Sequence, residues 1–288
     1  MNTIRRRNFL KTAITGAAGA FVFSHLPQPL LAAARFAGVP LGFQTWVVRE
    51  ELGKDFAGTL KSIAAQGYQQ LELCSPKGYE KIGFGPLAQM KVADMRSIIQ
   101  DAGLSCPSSH FTFSEFADDV LDDRIAFAQG LGMRHMICSS FGLPKTASLN
   151  DYLARADSLN KAAEKIKKAG LQAGFHNHSI EFVQLDGRLI YDALLERFDR
   201  DLVKLQFQTE VINLGFKGKP YFEKFPGRFI SAHLSDWTPD KKEVPVGQGV
   251  IDWKEFFAAA KKAGVQTYFV EMKPGTFKES AAYIRSLA

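Results

Sequence analysis

Short apolar runs and longer amphipathic stretches alternate along most of the chain. The runs VPLGFQTW (39–46), QQLELC (69–74), LSCPSSH (104–110), RHMICSS (134–140), LQAGFHNH (171–178), LVKLQFQTE (202–210), RFISAHLSD (228–236) and QTYFVEMK (266–273) read as eight strands. Between them, DFAGTLKSIAAQG (55–67), SLNKAAEKIKKAG (158–170) and DWKEFFAAAKKAG (252–264) carry the helical period, and the last opens on Asp252 as an N-cap and closes on Gly264. A glycine at a helix end followed by an apolar run recurs at Gly67, Gly103, Gly132, Gly170 and Gly264, the turn chemistry of a repeating βα unit. Strands and helices alternate with no interdomain linker, which predicts a single-domain α/β fold, a (β/α)8 TIM barrel over residues 35–288. A doubly wound sheet would place a glycine-rich phosphate turn after its first strand, and LGFQTWVVRE is not one.

The N-terminus changes how the charge is read. Arg5-Arg6-Arg7-Asn8-Phe9-Leu10-Lys11 has the pattern of a twin-arginine export signal, an Ala/Gly-rich apolar run follows from Thr12 to Phe23, and Ala32-Ala33-Ala34 offers small residues for cleavage. Residues 1–34 are therefore expected to be a leader and the mature protein to be periplasmic, exported folded, with no stable membrane anchor after cleavage. The apolar run is well short of the ~18–20 residues that span a bilayer. The formal charge of +6 falls to +2 without Arg5, Arg6, Arg7 and Lys11, because no acid precedes Arg35. The basic balance thus gives no reason to expect a nucleic-acid partner. The odd set Cys74, Cys106 and Cys138 has no close pairs, which argues against a disulfide framework and for buried thiols.

In a (β/α)8 barrel the C-terminal ends of the strands build the site, and here those ends are polar. Gln44 and Trp46 share a face of the first strand at period-two spacing, Glu72 closes the second and His110 the third. His176 and His178 point the same way from the fifth strand, with Asn177 opposite. Gln206, Gln208 and Glu210 share a face of the sixth, His233 ends the seventh with Asp236 just beyond, and Glu271 ends the eighth. Of the five histidines after the leader, only His135 begins a strand. Gly247-Gln248-Gly249 reads as a turn before the last helix, since a lone GxG is a weak phosphate signal.

These segments, in this order, resemble the sugar phosphate isomerase/epimerase family of xylose-isomerase-like barrels. LGFQTWVVRE, GTLKSIAAQGYQQLEL, GLSCPSSH, GFHNHSIEF, PGRFISAHLSDW, VPVGQGVIDWKEFFAAAKKAG and YFVEM carry the likeness from about residue 39 to the C-terminus. The resemblance implies a divalent metal held at the ends of strands five to eight by Glu, Asp, His and Glu. The matching positions here are His176, Gln208, His233 and Glu271. His for Glu keeps a good ligand, whereas Gln for Asp trades a charged oxygen for a neutral carbonyl, so Mn²⁺ or Zn²⁺ suits the set better than Mg²⁺. Glu210 or Glu181 would restore charge if turned inward.

The implied activity is that of a metal-dependent sugar isomerase or epimerase moving a proton next to a carbonyl. His178 and His110 are the expected acid/base or substrate hydrogen-bonding groups, with Glu271 and Glu72 as further proton-transfer candidates. Gln44, Trp46, Asn177, Gln206 and Glu210 are the expected substrate contacts, and Asp236 is expected to orient a ligand. Periplasmic export and the lack of an Arg/Lys cluster at the strand ends favour an unphosphorylated sugar or keto-sugar. Two alternatives are a 3-keto-glycoside lyase or hydratase on the same residues and a sugar-binding protein that has lost catalysis. An abasic-site endonuclease would need a richer metal cluster and a basic groove.

Overall fold

A computed structural model describes residues 40–287; the leader and cleavage site expected over residues 1–34 lie outside them. The eight expected strands are all present: β1 Leu41–Gln44, β2 Gln70–Cys74, β3 Ser105–Phe111, β4 His135–Cys138, β5 Gln172–His176, β6 Val203–Gln208, β7 Phe229–Leu234 and β8 Thr267–Val270. Each pairs in parallel with its successor, and β8 pairs with β1 to close the barrel. Two short antiparallel ribbons, Gln184–Leu185 with Arg188–Leu189 and Asp236–Trp237 with Glu243–Val244, decorate the loops after β5 and β7. Among the described residues no helix is long and apolar enough to cross a membrane.

The helix boundaries follow local chemistry. Asp55 caps Phe56–Ala64 by accepting from the Gly58 amide, and Asp252 caps Trp253–Ala263 by accepting from the Glu255 amide. The helix expected over 158–170 begins earlier, at Leu149, because Ser148 and Asp151 form a reciprocal cap. Gly132 shows why glycine closes these units: at φ 76° its amide reaches the carbonyls of Ala128 and Gln129, a left-handed stop that a side chain would strain.

Several strands end sooner than their apolar patterns imply. Gln44 accepts the Trp46 amide at 3.2 Å and starts the tight turn Thr45–Val48, so Trp46 does not continue the face of β1. Gln208 likewise starts the turn Thr209–Leu214, which takes Glu210 off the β6 face. The hydroxyls of Thr45 and Thr209 then accept the amides of Cys74 and Ser235, replacing ladder partners across the neighbouring strand.

Phe43, Leu71, Leu73, Phe175 and Phe207 are buried among the apolar residues that join strands to helices. Inside the barrel the lower layer is apolar and the upper layer polar. A Cβ on Gly42 would lie 2.4 Å from Phe269 Cδ1 and one on Gly174 2.5 Å from Ile137 Cδ1, so the two glycines leave room for a plug of larger side chains. One register step above them stand Gln44, Glu72, Ser108, His176 and Gln206, each fully buried. Cys74, Cys106 and Cys138 are buried and unbridged.

Candidate functional site

Glu72 is the hub of that polar layer. Its Oε1 accepts from Ser108 Oγ at 2.5 Å and Gln206 Nε2 at 2.8 Å; its Oε2 meets Gln44 Nε2 at 2.7 Å, His233 Nε2 at 2.5 Å and His110 Nε2 at 3.2 Å. Burial alone would raise its pKa, but the adjacent imidazoles His110 and His233 and the hydroxyl of Ser108 outweigh it and hold the carboxyl at about 2. A carboxylate so fully bonded, with no exposure to the barrel mouth, is arranged to orient histidines. This differs from the sequence expectation of Glu72 as a base.

The same layer absorbs Gln44 and Gln206, which were expected at the substrate. Gln44 is spent on Glu72 and the Trp46 amide. Gln206 donates to Glu72 and Ser231, and its Oε1 lies 2.7 Å from His110 Nε2. Neither is exposed. Asn177, also expected to touch substrate, faces away from His176, and its Oδ1 accepts the Gln208 amide at 3.2 Å. That bond fixes the end of β6 instead.

Above Glu72, three imidazoles converge. The ring centroids of His110 and His176 are 4.8 Å apart, those of His176 and His233 4.5 Å, and those of His110 and His233 5.1 Å. One donor nitrogen from each lies within 4.8 Å of the others. His233 is clamped: Nε2 faces Glu72, and Nδ1 lies 2.9 Å from Glu271 Oε2. Burial would lower its pKa, but Glu271 and Glu72 raise it to about 9. His176 is the opposite case. It is fully buried and neither ring nitrogen has a partner in hydrogen-bonding geometry, since the Gln206 amide beside it is aimed at His110, Glu72 and Ser231. Burial, then the neighbouring imidazoles, push its pKa well down, which keeps a lone pair available. Gln208 Nε2 donates to Glu271 Oε2 at 2.6 Å, so Gln208, His233 and Glu271 meet at one point on the rim.

The mouth itself is formed by partly exposed groups: His178 after β5, Glu210 after β6, Trp237 after β7, Glu271 after β8 and Trp46 after β1. The His178 ring packs edge-on against His176 at 4.6 Å, and burial lowers its pKa to about 4. Burial, then Glu271 and Glu243, raise the Glu210 carboxyl. Trp46 leans on Tyr79 and carries Arg49 over its ring at 4.4 Å. Asp236 does not reach the cluster; it accepts from the Gly247 and Gly249 amides and Trp253 Nε1, which spends the GxG amides on holding their own loop.

Sequence reading passed over Ser108, Ser231 and Trp237. It also passed over an internal echo, His110-x-x-x-x-Glu115-Phe116 and His176-x-x-x-x-Glu181-Phe182. Both copies fold alike: Glu115 Oε2 accepts the Thr112 amide at 2.9 Å and Glu181 Oε2 the His178 amide at 2.7 Å, so each glutamate pins the loop that follows an inward histidine. Glu181 therefore serves the His178 backbone and does not join the metal candidates.

Burial raises the Glu181 pKa to about 7. The folded state then holds this proton more tightly than the unfolded chain. Its stabilising contribution is complete below the unfolded value near 4.5 and is lost as pH rises through 7. This contribution should fall by up to about 3 kcal/mol over that window, against the opposite slope of His178, whose pKa is depressed to about 4, and Glu181→Gln, which keeps an acceptor for His178, should remove it. Urea melts at several pH values test this; parallel curves for the two proteins would refute it.

Comparison with known proteins gives the frame for these residues. The family described as xylose isomerase-like TIM barrel matches residues 60–287. None of the curated protein sequences matches this chain. Among solved structures, a sugar phosphate isomerase/epimerase from Parabacteroides distasonis ATCC 8503 is 25% identical with a TM-score of 0.74, covering 86% of this chain and 96% of that one. A D-allulose 3-epimerase from Methylomonas sp. shares the fold at 14% identity and a TM-score of 0.62, over 87% of this chain and 98% of that one. So does an IOLI protein with a bound zinc atom, at 14% identity and a TM-score of 0.60, over 86% and 95%. With a closed eight-stranded parallel barrel and a family match running almost to its last residue, the chain belongs to the xylose isomerase-like TIM barrels.

Proposed function

We propose that the protein is a metal-dependent isomerase or epimerase that moves a proton beside the carbonyl of an unphosphorylated sugar or keto-sugar. The observation that carries this reading is His176, a fully buried imidazole with both nitrogens unpartnered, set beneath the barrel mouth beside His233, which itself meets Glu271. Such a residue is costly to leave unsatisfied, and a divalent ion would satisfy it.

The residues fit such an ion. His176 and His233 offer imidazole nitrogens and Glu271 a carboxylate; Gln208 offers Oε1 once its amide turns over, since amide O and N exchange places by rotation. His233 Nε2 on Glu72 reproduces the carboxylate–histidine pairing that orients metal-bound imidazoles. A set of nitrogens with one carboxylate and one neutral oxygen favours Zn²⁺ or Mn²⁺ over Mg²⁺. When bound, the ion would polarise a substrate carbonyl.

The chain's own groups supply the rest. His178, packed on His176, and Glu271, beside His233, are partly exposed, and we assign to them the taking and return of the proton. Glu210 is positioned to hydrogen-bond sugar hydroxyls, and Trp46 and Trp237 offer ring faces to sugar C–H groups. The twin-arginine pattern supports a periplasmic setting for this chemistry.

The test is proton–deuterium exchange next to the carbonyl of D-fructose and D-allulose in D₂O, followed by NMR with Mn²⁺ or Zn²⁺ added. Wild type should exchange, and His178→Ala should do so on the order of a hundredfold more slowly. No exchange with either ketose and either ion would sink the proposal.

A further inference from the structure

A cavity of about 600 Å³ lies on the same rim, lined by Thr112, Phe113 and Ser114 after β3, Ser140 and Phe141 after β4, and Arg155 of the Leu149–Lys168 helix. Thr112 is two residues past His110, so one wall of the cavity is the loop that leaves the histidine-bearing β3. The Arg155 guanidinium lies 4.3 Å over the Phe113 ring, and Phe113 packs edge-on against Phe141 at 5.5 Å. Arg155 is thereby held in place and half-buried.

Asp151, one turn earlier, feels the charge of Arg155, but among the described residues no carboxylate forms an ion pair with it. Glu115 is taken by Ser75, Arg124 and the Thr112 amide, and Glu181 by the His178 amide. Asp151, one turn earlier on the same helix, is taken by the amide and hydroxyl of Ser148. Among the described residues Arg155 forms no ion pair with any of them. A fixed guanidinium without an ion-pair partner, facing a cavity edged with hydroxyls and an aromatic ring, suits a planar oxyanion.

We propose that this cavity is a subsite for the carboxylate of an acidic sugar, with Arg155 as its charge partner. Among the described residues Arg155 is the single charged one lining it, which matches a monoanion; a phosphate dianion would be left half neutralised. Phe113, backed by the buried Phe141, supplies an apolar face for the sugar ring, and Ser114 and Ser140 supply hydroxyls. The inference rests on the sugar reading of the barrel mouth and narrows it to a substrate carrying a carboxylate.

Calorimetric titration of the full-chain protein with D-glucuronate and with D-glucose tests it. Glucuronate should bind at least about tenfold more tightly than glucose, the preference should shrink at high salt, and Arg155→Gln should abolish it. Arg155→Lys keeps the charge without the fork and should retain part of the preference, so it decides the matter even where Arg155→Gln unfolds. Equal binding of the two sugars, or an unchanged preference in either variant, would overturn the subsite. So would no binding of glucuronate at all. The proton-transfer proposal is judged separately, because its exchange measurement uses neutral ketoses.

Discussion

Glu72→Ala is expected to be the most damaging single substitution in the barrel interior. It should lower stability by about 3–5 kcal/mol, the range for removing one partner of a buried charged pair. The carboxylate is the common acceptor for Ser108, Gln206, Gln44 and the imidazoles of His110 and His233. All of these are buried, so none can turn to water. Glu72→Gln retains one acceptor oxygen but places an NH₂ against groups that are already donors, so it should recover only part of the loss. Chemical denaturation of both variants gives the measurement. A Glu72→Ala protein within about 1 kcal/mol of wild type would show that the network is not what holds the upper layer.

The second large effect is expected at Gln208, where the chain departs most from the ligand set that the family resemblance implies. Gln208 Nε2 donates to Glu271 Oε2 at 2.6 Å. Gln208→Asp removes that donor and sets two carboxylates face to face. In the metal-free protein this repulsion should lower the melting temperature, at a cost of about 1–3 kcal/mol. A divalent ion would relieve it, so Mn²⁺ and Mg²⁺ affinity should rise roughly tenfold to a hundredfold, equivalent to about 1.4–2.8 kcal/mol. Titration calorimetry with each ion, beside melts with and without chelator, separates the two effects. If Gln208→Asp binds neither ion more tightly than wild type, Gln208 is not at the coordination point.

The amino-acid order by itself determined the barrel. Period-two runs, helical runs and glycines at the helix ends are local features, and every expected strand is present because a βα unit writes its own boundaries through caps and turns. The histidines at the strand ends were legible for the same reason: alternation places His176 opposite Asn177 whatever the rest of the chain does. Strand ends were less legible. The side chains of Gln44 and Gln208 compete with the ladder for the amides that follow, and a period of two carries no sign of that competition.

Only the tertiary structure decided how the polar residues divide their labour. In the sequence Glu72 looks like a base, and Gln44 and Gln206 like substrate ligands, because they are polar and inward. Depth along the barrel axis, set by the register between neighbouring strands, puts them beneath the mouth and spends them on one another. Trp237 reaches the mouth, and Arg155 comes to the same rim from a helix, so neither is announced by a strand pattern. Which buried polar atom finds a partner depends on residues far apart in sequence: Glu72 and His233 meet across 161 positions. Pairing at that range is a property of the closed barrel, and it is what leaves His176 without a hydrogen-bond partner and Arg155 without an ion pair.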